Sequence, residues 1–277
     1  MNWKNLAGRL WKRLNDHDIF GGAAKLSYYF LLALFPLLLV LVTLLGYFAE
    51  AGSDLRNNLI GYLGSVMPPS AIALVQTTLD EISQARGSGK VSIGLLAALW
   101  AASNGMGAIS STLNAAYGVS EHRPWWKVRL VSIVLTLALS VLIVLALALV
   151  LYGGQIGERL AEHFGYGALF ILIWKILQWP IALLFVMLTF NLIYYFGPSV
   201  RPQKARWCMI GTVIAVVLWL AISFGFRIYL HFFNSYSVTY GSLGAVIILM
   251  LWFYFTGLAI LLGGEINSEL ENRSKGK

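Results

Sequence analysis

The stretch LVSIVLTLALSVLIVLALALVLY, residues 130–152, carries no charge over its whole length. A helix of that length covers the roughly 30 Å of a bilayer's hydrocarbon core, which asks for about 20 apolar residues. The run is too long for a strand and lacks the alternation of a membrane barrel. A helix also satisfies its own backbone hydrogen bonds, as lipid requires. Five further windows read the same way: 26–49, 91–115, 168–196, 208–229 and 243–264. Composition agrees. Of 277 residues, 58% are hydrophobic and only 12% charged, with a mean hydropathy of +0.74. Soluble domains carry about 25% charged residues, so too little polar side chain is present to coat a water-soluble globule. A soluble enzyme, a disordered tail and a disulfide-stapled secreted domain are all disfavoured.

Sorting the charges gives an orientation. Lys4, Arg9, Lys12, Arg13 and Lys25 precede the first span. Arg123, Lys127 and Arg129 lie between the second and third, and Arg201, Lys204 and Arg206 between the fourth and fifth. Arg273, Lys275 and Lys277 follow the sixth. The other connections hold only Arg56, Arg86, Lys90 and Arg159, over longer loops. Six spans alternate sides, and the positive-inside rule then places both termini in the cytoplasm. The net charge of +8 is a mark of membrane orientation, not a nucleic-acid footprint. The first apolar run precedes an Ala49-Glu50-Ala51 pattern, yet it is longer than the 7–15 residues typical of a signal peptide, so it reads as a retained anchor. A lone cysteine, Cys208, excludes an internal disulfide, and no Cys/His metal spacing, phosphate loop or catalytic triad order is present.

Residues 2–16 read as a basic interfacial helix, with Trp3, Leu6, Leu10 and Leu14 on one face, suited to anionic lipid at the cytoplasmic surface. The external loop at 50–90 reads as two short amphipathic helices split by Pro68-Pro69. The expected fold is thus all-α: a single integral membrane domain over 1–277, a polytopic bundle of six transmembrane helices.

Polar groups inside the spans are few, and charges there are expensive. Lys175 and Arg227 both fall toward the outer ends of their spans. Pointing into the bundle, they would form a positive vestibule for an anionic solute or a lipid phosphate. Pointing outward, they would snorkel to headgroups. The second span carries a small-residue stripe, Gly94, Ala98 and Ala102, with Ser103-Asn104 mid-bilayer. An Asn at that depth either bonds a neighbouring helix or lines a pathway. Glu265 closes the last span, and with Glu269 and Glu271 it reads as a helix exit and short tail.

Several stretches resemble the YihY/BrkB family of bacterial inner-membrane proteins. They are Ser27-Tyr28-Tyr29 with Leu34-Phe35-Pro36-Leu37-Leu38, Leu99-Trp100 through Ser103-Asn104-Gly105-Met106, Leu113-Asn114 and Tyr117-Gly118. Tyr240-Gly241-Ser242-Leu243-Gly244-Ala245 follows, running on to Trp252, Tyr254 and Gly263-Gly264-Glu265-Ile266-Asn267. The resemblance implies a six-span inner-membrane protein. It also brings a "ribonuclease BN-like" label and, for some members, a virulence or serum-resistance label. A metal-dependent nuclease wants clustered carboxylates or histidines, and the scattered acids here disfavour one. The expectation is a transporter or flippase-like exporter of an anionic solute or amphiphile, with no cofactor and no catalytic residue. Asn104, Lys175, Arg227, Glu265 and Asn267 are the candidates to line or gate the pathway, with Tyr240 and Gly241 at the outer turn. The alternative is a non-transporting envelope, assembly or virulence-associated factor. Either leaves a homo-oligomer open.

Overall fold

The computed structural model describes residues 16–48, 61, 89–200, 205–232 and 242–274. The amphipathic segment before Asp16, nearly all of the loop at 50–88, and Tyr240 and Gly241 lie outside the described residues. Six long helices follow one another: α1 (Ile19–Phe48), α2 (Gly89–Ala116), α3 (Trp125–Phe164), α4 (Ala168–Phe196), α5 (Ala205–Phe232) and α6 (Ser242–Ser274). Among the described residues there is no strand, and the chain is an all-helical membrane bundle. Helices α3 to α6 each hold a segment long and apolar enough to cross a membrane, and Ile19–Leu34 of α1 is a shorter apolar stretch.

Two helices outrun the apolar windows that announced them. Helix α3 continues past Tyr152 to Phe164, carrying Glu158, Arg159 and Glu162 as helical residues. Hydropathy drops at Gly153-Gly154, but nothing there stops a helix. Gly153 and Gly157 are buried where Gln178 and Trp174 of α4 lie against them, and the Trp174 indole donates to the Gly153 carbonyl at 2.6 Å. The stop comes at Gly165, whose φ of +68° is the left-handed cap that ends helices cheaply only at glycine. Helix α6 likewise continues past Gly264 to Ser274. The acids read as an exit and tail are therefore helical, and Glu265 and Glu271 are buried.

Each helix packs on the next in chain order, and α6 returns to pack on α1, so the order of packing closes on itself. The apolar core sits at one end. It is built from Ile19, Ala23 and Leu26 of α1, Met106, Ile109 and Leu113 of α2, and Leu135 of α3. Phe190, Ile193 and Tyr194 of α4, Ala215 and Val216 of α5, and Ile260 and Leu261 of α6 complete it. These are the N-terminal halves of the odd helices and the C-terminal halves of the even ones. We call this the basic end, after the connections that carry most of the cations. The outward faces are apolar too, as at Leu130, Val134, Leu137 and Val141 of α3. Side chains whose solvent is hydrocarbon need not be hidden. Two members of the small-residue stripe of α2 lie inside the bundle, and the burial of Gly94 is outside the described side chains. Ala98 and Ala102 are buried, and Gly105 lies against Ala33 of α1.

Candidate functional site

The polar groups that the bundle buries gather at the basic end. On α6, Glu265, Asn267, Ser268 and Glu271 are all buried, Glu265 completely, at 0% exposure. The spacing puts them on one broad helical face. Asn267 reaches α5, its Oδ1 accepting the Gly211 backbone N–H at 2.8 Å. Glu265 pairs with the ring of His17, just ahead of α1, through Oε1 and Nδ1. Asp18 then starts α1, its carboxylate accepting the Gly21 N–H at 3.2 Å as an N-cap. Tyr194 crosses from α4 to donate its hydroxyl to the Ile260 carbonyl at 2.8 Å. The contact between α5 and α6 is close enough that Gly211 and Gly263 meet nearly backbone to backbone.

Beside this cluster a clasp ties two connections together. Asn114, near the end of α2, accepts the Ser199 N–H at 2.6 Å and donates to Glu121 Oε2 at 3.0 Å. Glu121 forms a two-point pair with Arg123, whose Nε and terminal nitrogen both donate at 2.8 Å. Arg123 also donates to the Phe196 carbonyl at 3.1 Å and the Gly197 carbonyl at 2.8 Å, at the end of α4. A cation there satisfies the last carbonyls and complements the helix dipole.

The Arg123 hydrogen bond holds the Glu121 carboxyl down from 4.5 to about 2, outweighing the opposing effect of its partial burial. A group whose pKa is depressed on folding stabilises the fold above its unfolded value and loses that contribution as pH falls through the folded one. The clasp should thus hold at neutral pH and weaken between pH 4.5 and about 2. Melting of the detergent-solubilised protein across that window checks this. Wild type is expected to lose stability faster than a Glu121→Gln variant. Parallel curves would show that Glu121 makes no such contribution.

The candidate pathway residues separate. Glu265 and Asn267 are neighbours in the buried cluster at the basic end. Asn104 is exposed on α2 and accepts a hydrogen bond from Arg129 of α3 at 2.7 Å, which sets it beside a cation of the basic connection and not at the middle of the bilayer, where its place in the second window had put it. Lys175 is exposed on α4 and pairs with Glu158 of α3 at 3.3 Å, both about half exposed. Arg227 is exposed near the far end of α5. Asn104, Lys175 and Arg227 are therefore not gathered at one buried site, and Lys175 has its counter-charge on the adjacent helix. Tyr240 and Gly241 lie outside the described residues. Reasoning from sequence missed His17, Glu121, Arg123, Arg129 and Tyr194 as partners of the polar cluster and its surroundings. Most of these charges sit where topology alone calls for them, so nothing in their spacing marked them as bonded. Among the described residues, no group of three or more His, Cys, Asp or Glu is placed to hold a metal ion.

Comparison with known proteins adds the family. The profile described as "Virulence factor BrkB" matches residues 10–277. A ribonuclease-like protein of Bacillus subtilis, YfkH, is 39% identical over 266 residues, covering 96% of this chain and 95% of its own. The UPF0761 membrane proteins of Xanthomonas oryzae and Xanthomonas campestris are 28% and 29% identical over 94% of this chain. The chain spans only 59% of their length. No solved structure matches. A profile that covers nearly the whole sequence, and a relative matched over 95% of its own length, place this multi-pass membrane protein in the YihY/BrkB family.

Proposed function

We propose that the protein is a transporter or flippase-like carrier of an anionic solute or amphiphile. It would work across the bacterial inner membrane with its basic end and both termini in the cytoplasm. The observation that carries this reading is the pair of buried carboxylates, Glu265 and Glu271, with Asn267 between them on α6. Ionisable groups are costly inside a membrane bundle and stand as functional-site candidates by default. The hydroxyls of Ser132, Thr136 and Ser140 do not bear on the choice, because each bonds the carbonyl four residues before it in α3. In this reading the basic end is the closed gate. Glu265 and Asn267 hold α6 to the start of α1 and to α5, so opening must break those bonds.

A second reading, a non-transporting envelope or assembly factor, is favoured by one observation. Asn104, Lys175 and Arg227 lie on the surface and line no common site. Nuclease chemistry gains nothing from the acids. Glu121 is engaged by Arg123, and Glu265 and Glu271 are packed inside the bundle.

Metabolite and lipid profiles of a strain lacking the protein, complemented with wild type, Glu265→Gln or Asn267→Ala, test the proposal. Transport predicts an anionic compound that accumulates in the deletion strain and clears with wild type. The Glu265→Gln variant, present at normal level, should clear it at least about tenfold more slowly, the cost of one interaction of roughly 1.4 kcal/mol. A deletion profile indistinguishable from wild type would sink the transport reading. Full complementation by both variants would remove these two residues from the pathway.

A further inference from the structure

The junction of α2 and α3 carries an arrangement that neither the packing of the bundle nor a transport pathway requires. Three indoles stand out from it: Trp125 is 72% exposed, Trp126 56% and Trp100 48%. Lys127 lies over the Trp126 ring at 5.3 Å, and the Arg129 guanidinium stacks on the Trp100 ring at 3.7 Å. Arg129 is also held by Asn104, to which one terminal nitrogen donates at 2.7 Å, while the other donates to the Trp100 carbonyl. A guanidinium has five N–H donors. Two are used here and Nε is enclosed without an acceptor, which leaves one N–H on each terminal nitrogen. No carboxylate among the described residues pairs with Lys127 or Arg129. The nearest in sequence, Glu121, is taken by Arg123.

The level of this cluster is legible from the exposed face of α2. Leu96, Ala97 and Trp100 are apolar and exposed, and past Trp100 the exposed positions become Asn104, Ser111 and Ala115. On α3 the order is reversed: Trp125, Trp126 and Lys127 come first, then the apolar face at Leu130 and Val134. Both surfaces thus change from hydrocarbon-facing to polar beside the three indoles, and tryptophan prefers that headgroup level. A planar cation pre-oriented on one ring, a mobile ammonium over another and apolar faces directed into the acyl region complement one kind of group.

We propose that the α2–α3 junction binds headgroup phosphates of anionic phospholipid at two points around α3: Arg129, stacked on Trp100 beside Trp125, and Lys127, over Trp126 on the other side of the helix. Trp100 and Asn104 are positioning residues that hold the guanidinium at the headgroup level. The site does not depend on the transport reading and stands or falls separately from it.

The test uses the full chain purified in a neutral maltoside detergent. Melting is followed with added phosphatidylglycerol, phosphatidylcholine or inorganic phosphate, and lipid retained by the protein is counted by native mass spectrometry. Phosphatidylglycerol should raise the melting temperature and remain bound, and phosphatidylcholine should do neither. Binding should weaken roughly 30-fold when Lys127→Gln and Arg129→Gln are combined, and roughly fivefold for Lys127→Gln alone, at about 1 kcal/mol per cation. Lys127 is exposed, so the single variant keeps the question open to measurement if the double variant does not fold. Lys25→Gln, at another exposed cation of the basic end, should leave binding unchanged. Equal phosphatidylglycerol binding by Lys127→Gln and wild type would overturn the proposal. So would an equal loss in Lys25→Gln, which would mean diffuse attraction. Stabilisation by inorganic phosphate alone, without lipid retention, would overturn the lipid assignment and leave a soluble anion as the occupant.

Discussion

A Gly211→Val variant is expected to lose most of its folded protein. Gly211 of α5 stands where α6 comes closest, and a Cβ there would run into the Asn267 side chain and the Gly263 carbonyl oxygen. The first could rotate away only by giving up its hydrogen bond from Gly211 itself. The second is backbone and cannot move without shifting the helix. Overpacking a well-filled core costs about 1–3 kcal/mol, and a backbone obstacle puts this site at the upper end or beyond. Gly211→Ala should already be damaging. Gly225, on the same helix, has open space where its Cβ would lie, so Gly225→Ala should be neutral or stabilise by up to about 1 kcal/mol through helix propensity. The check is the yield of monodisperse protein together with its melting temperature. Equal behaviour of Gly211→Ala and Gly225→Ala would refute the close α5–α6 approach on which the buried α6 cluster depends.

The second large effect is expected at Asn114. Its side chain is buried and makes two bonds that no other residue can replace, one from the Ser199 N–H and one to the Glu121 carboxylate. Asn114→Ala leaves a backbone donor without its acceptor and loosens Glu121 from α2. A hydrogen bond left unmade in a buried setting costs about 1–3 kcal/mol. Only the Ser199 bond meets that description, since Glu121 is exposed and keeps Arg123, which puts the variant about 2 kcal/mol below wild type, or roughly 4–8 °C in melting temperature. Asn114→Asp separates the two bonds. It keeps an acceptor for Ser199 but sets a second carboxylate against Glu121. It should melt below wild type at neutral pH and recover part of the difference on acidification, as one of the two facing carboxylates takes a proton. If Asn114→Ala melts with wild type, the clasp is not what joins the two connections.

Both effects concern residues whose type was visible in the sequence and whose partners were not. Asn114 belongs to the Leu113-Asn114 pair that carried the family resemblance, yet Ser199 lies 85 residues away. Arg123 was counted among the cations that orient the protein. The structure uses it as well to cap α4 and hold Glu121. Arg129 was counted the same way, and is stacked on Trp100. The positive-inside pattern explains why cations stand at that end. It says nothing about which of them find acceptors, because a charge count is a sum over one side of a membrane, and pairing depends on distances of a few ångströms. Lys175 makes the opposite point. Sequence depth singled it out as a charge that topology did not explain, and Glu158 of α3 stands opposite it. The two are brought together because α3 remains helical well past its apolar window.

What the sequence determined by itself is the class of the molecule and its coarse layout: the long helices found among the described residues, their apolar windows and the end at which charge collects. These follow from local properties, length against bilayer thickness and hydropathy along the chain, and each can be evaluated without knowing what lies beside a helix. Tertiary structure alone decided that α3 and α6 run on past those windows, that Glu265, Asn267 and Glu271 are inside, and that Asn104, Lys175 and Arg227 are not. A helix stops where its backbone is broken, not where its hydropathy falls. A polar side chain is buried or exposed according to which neighbour its face meets, and that face is set by glycine contacts between helices far apart in sequence.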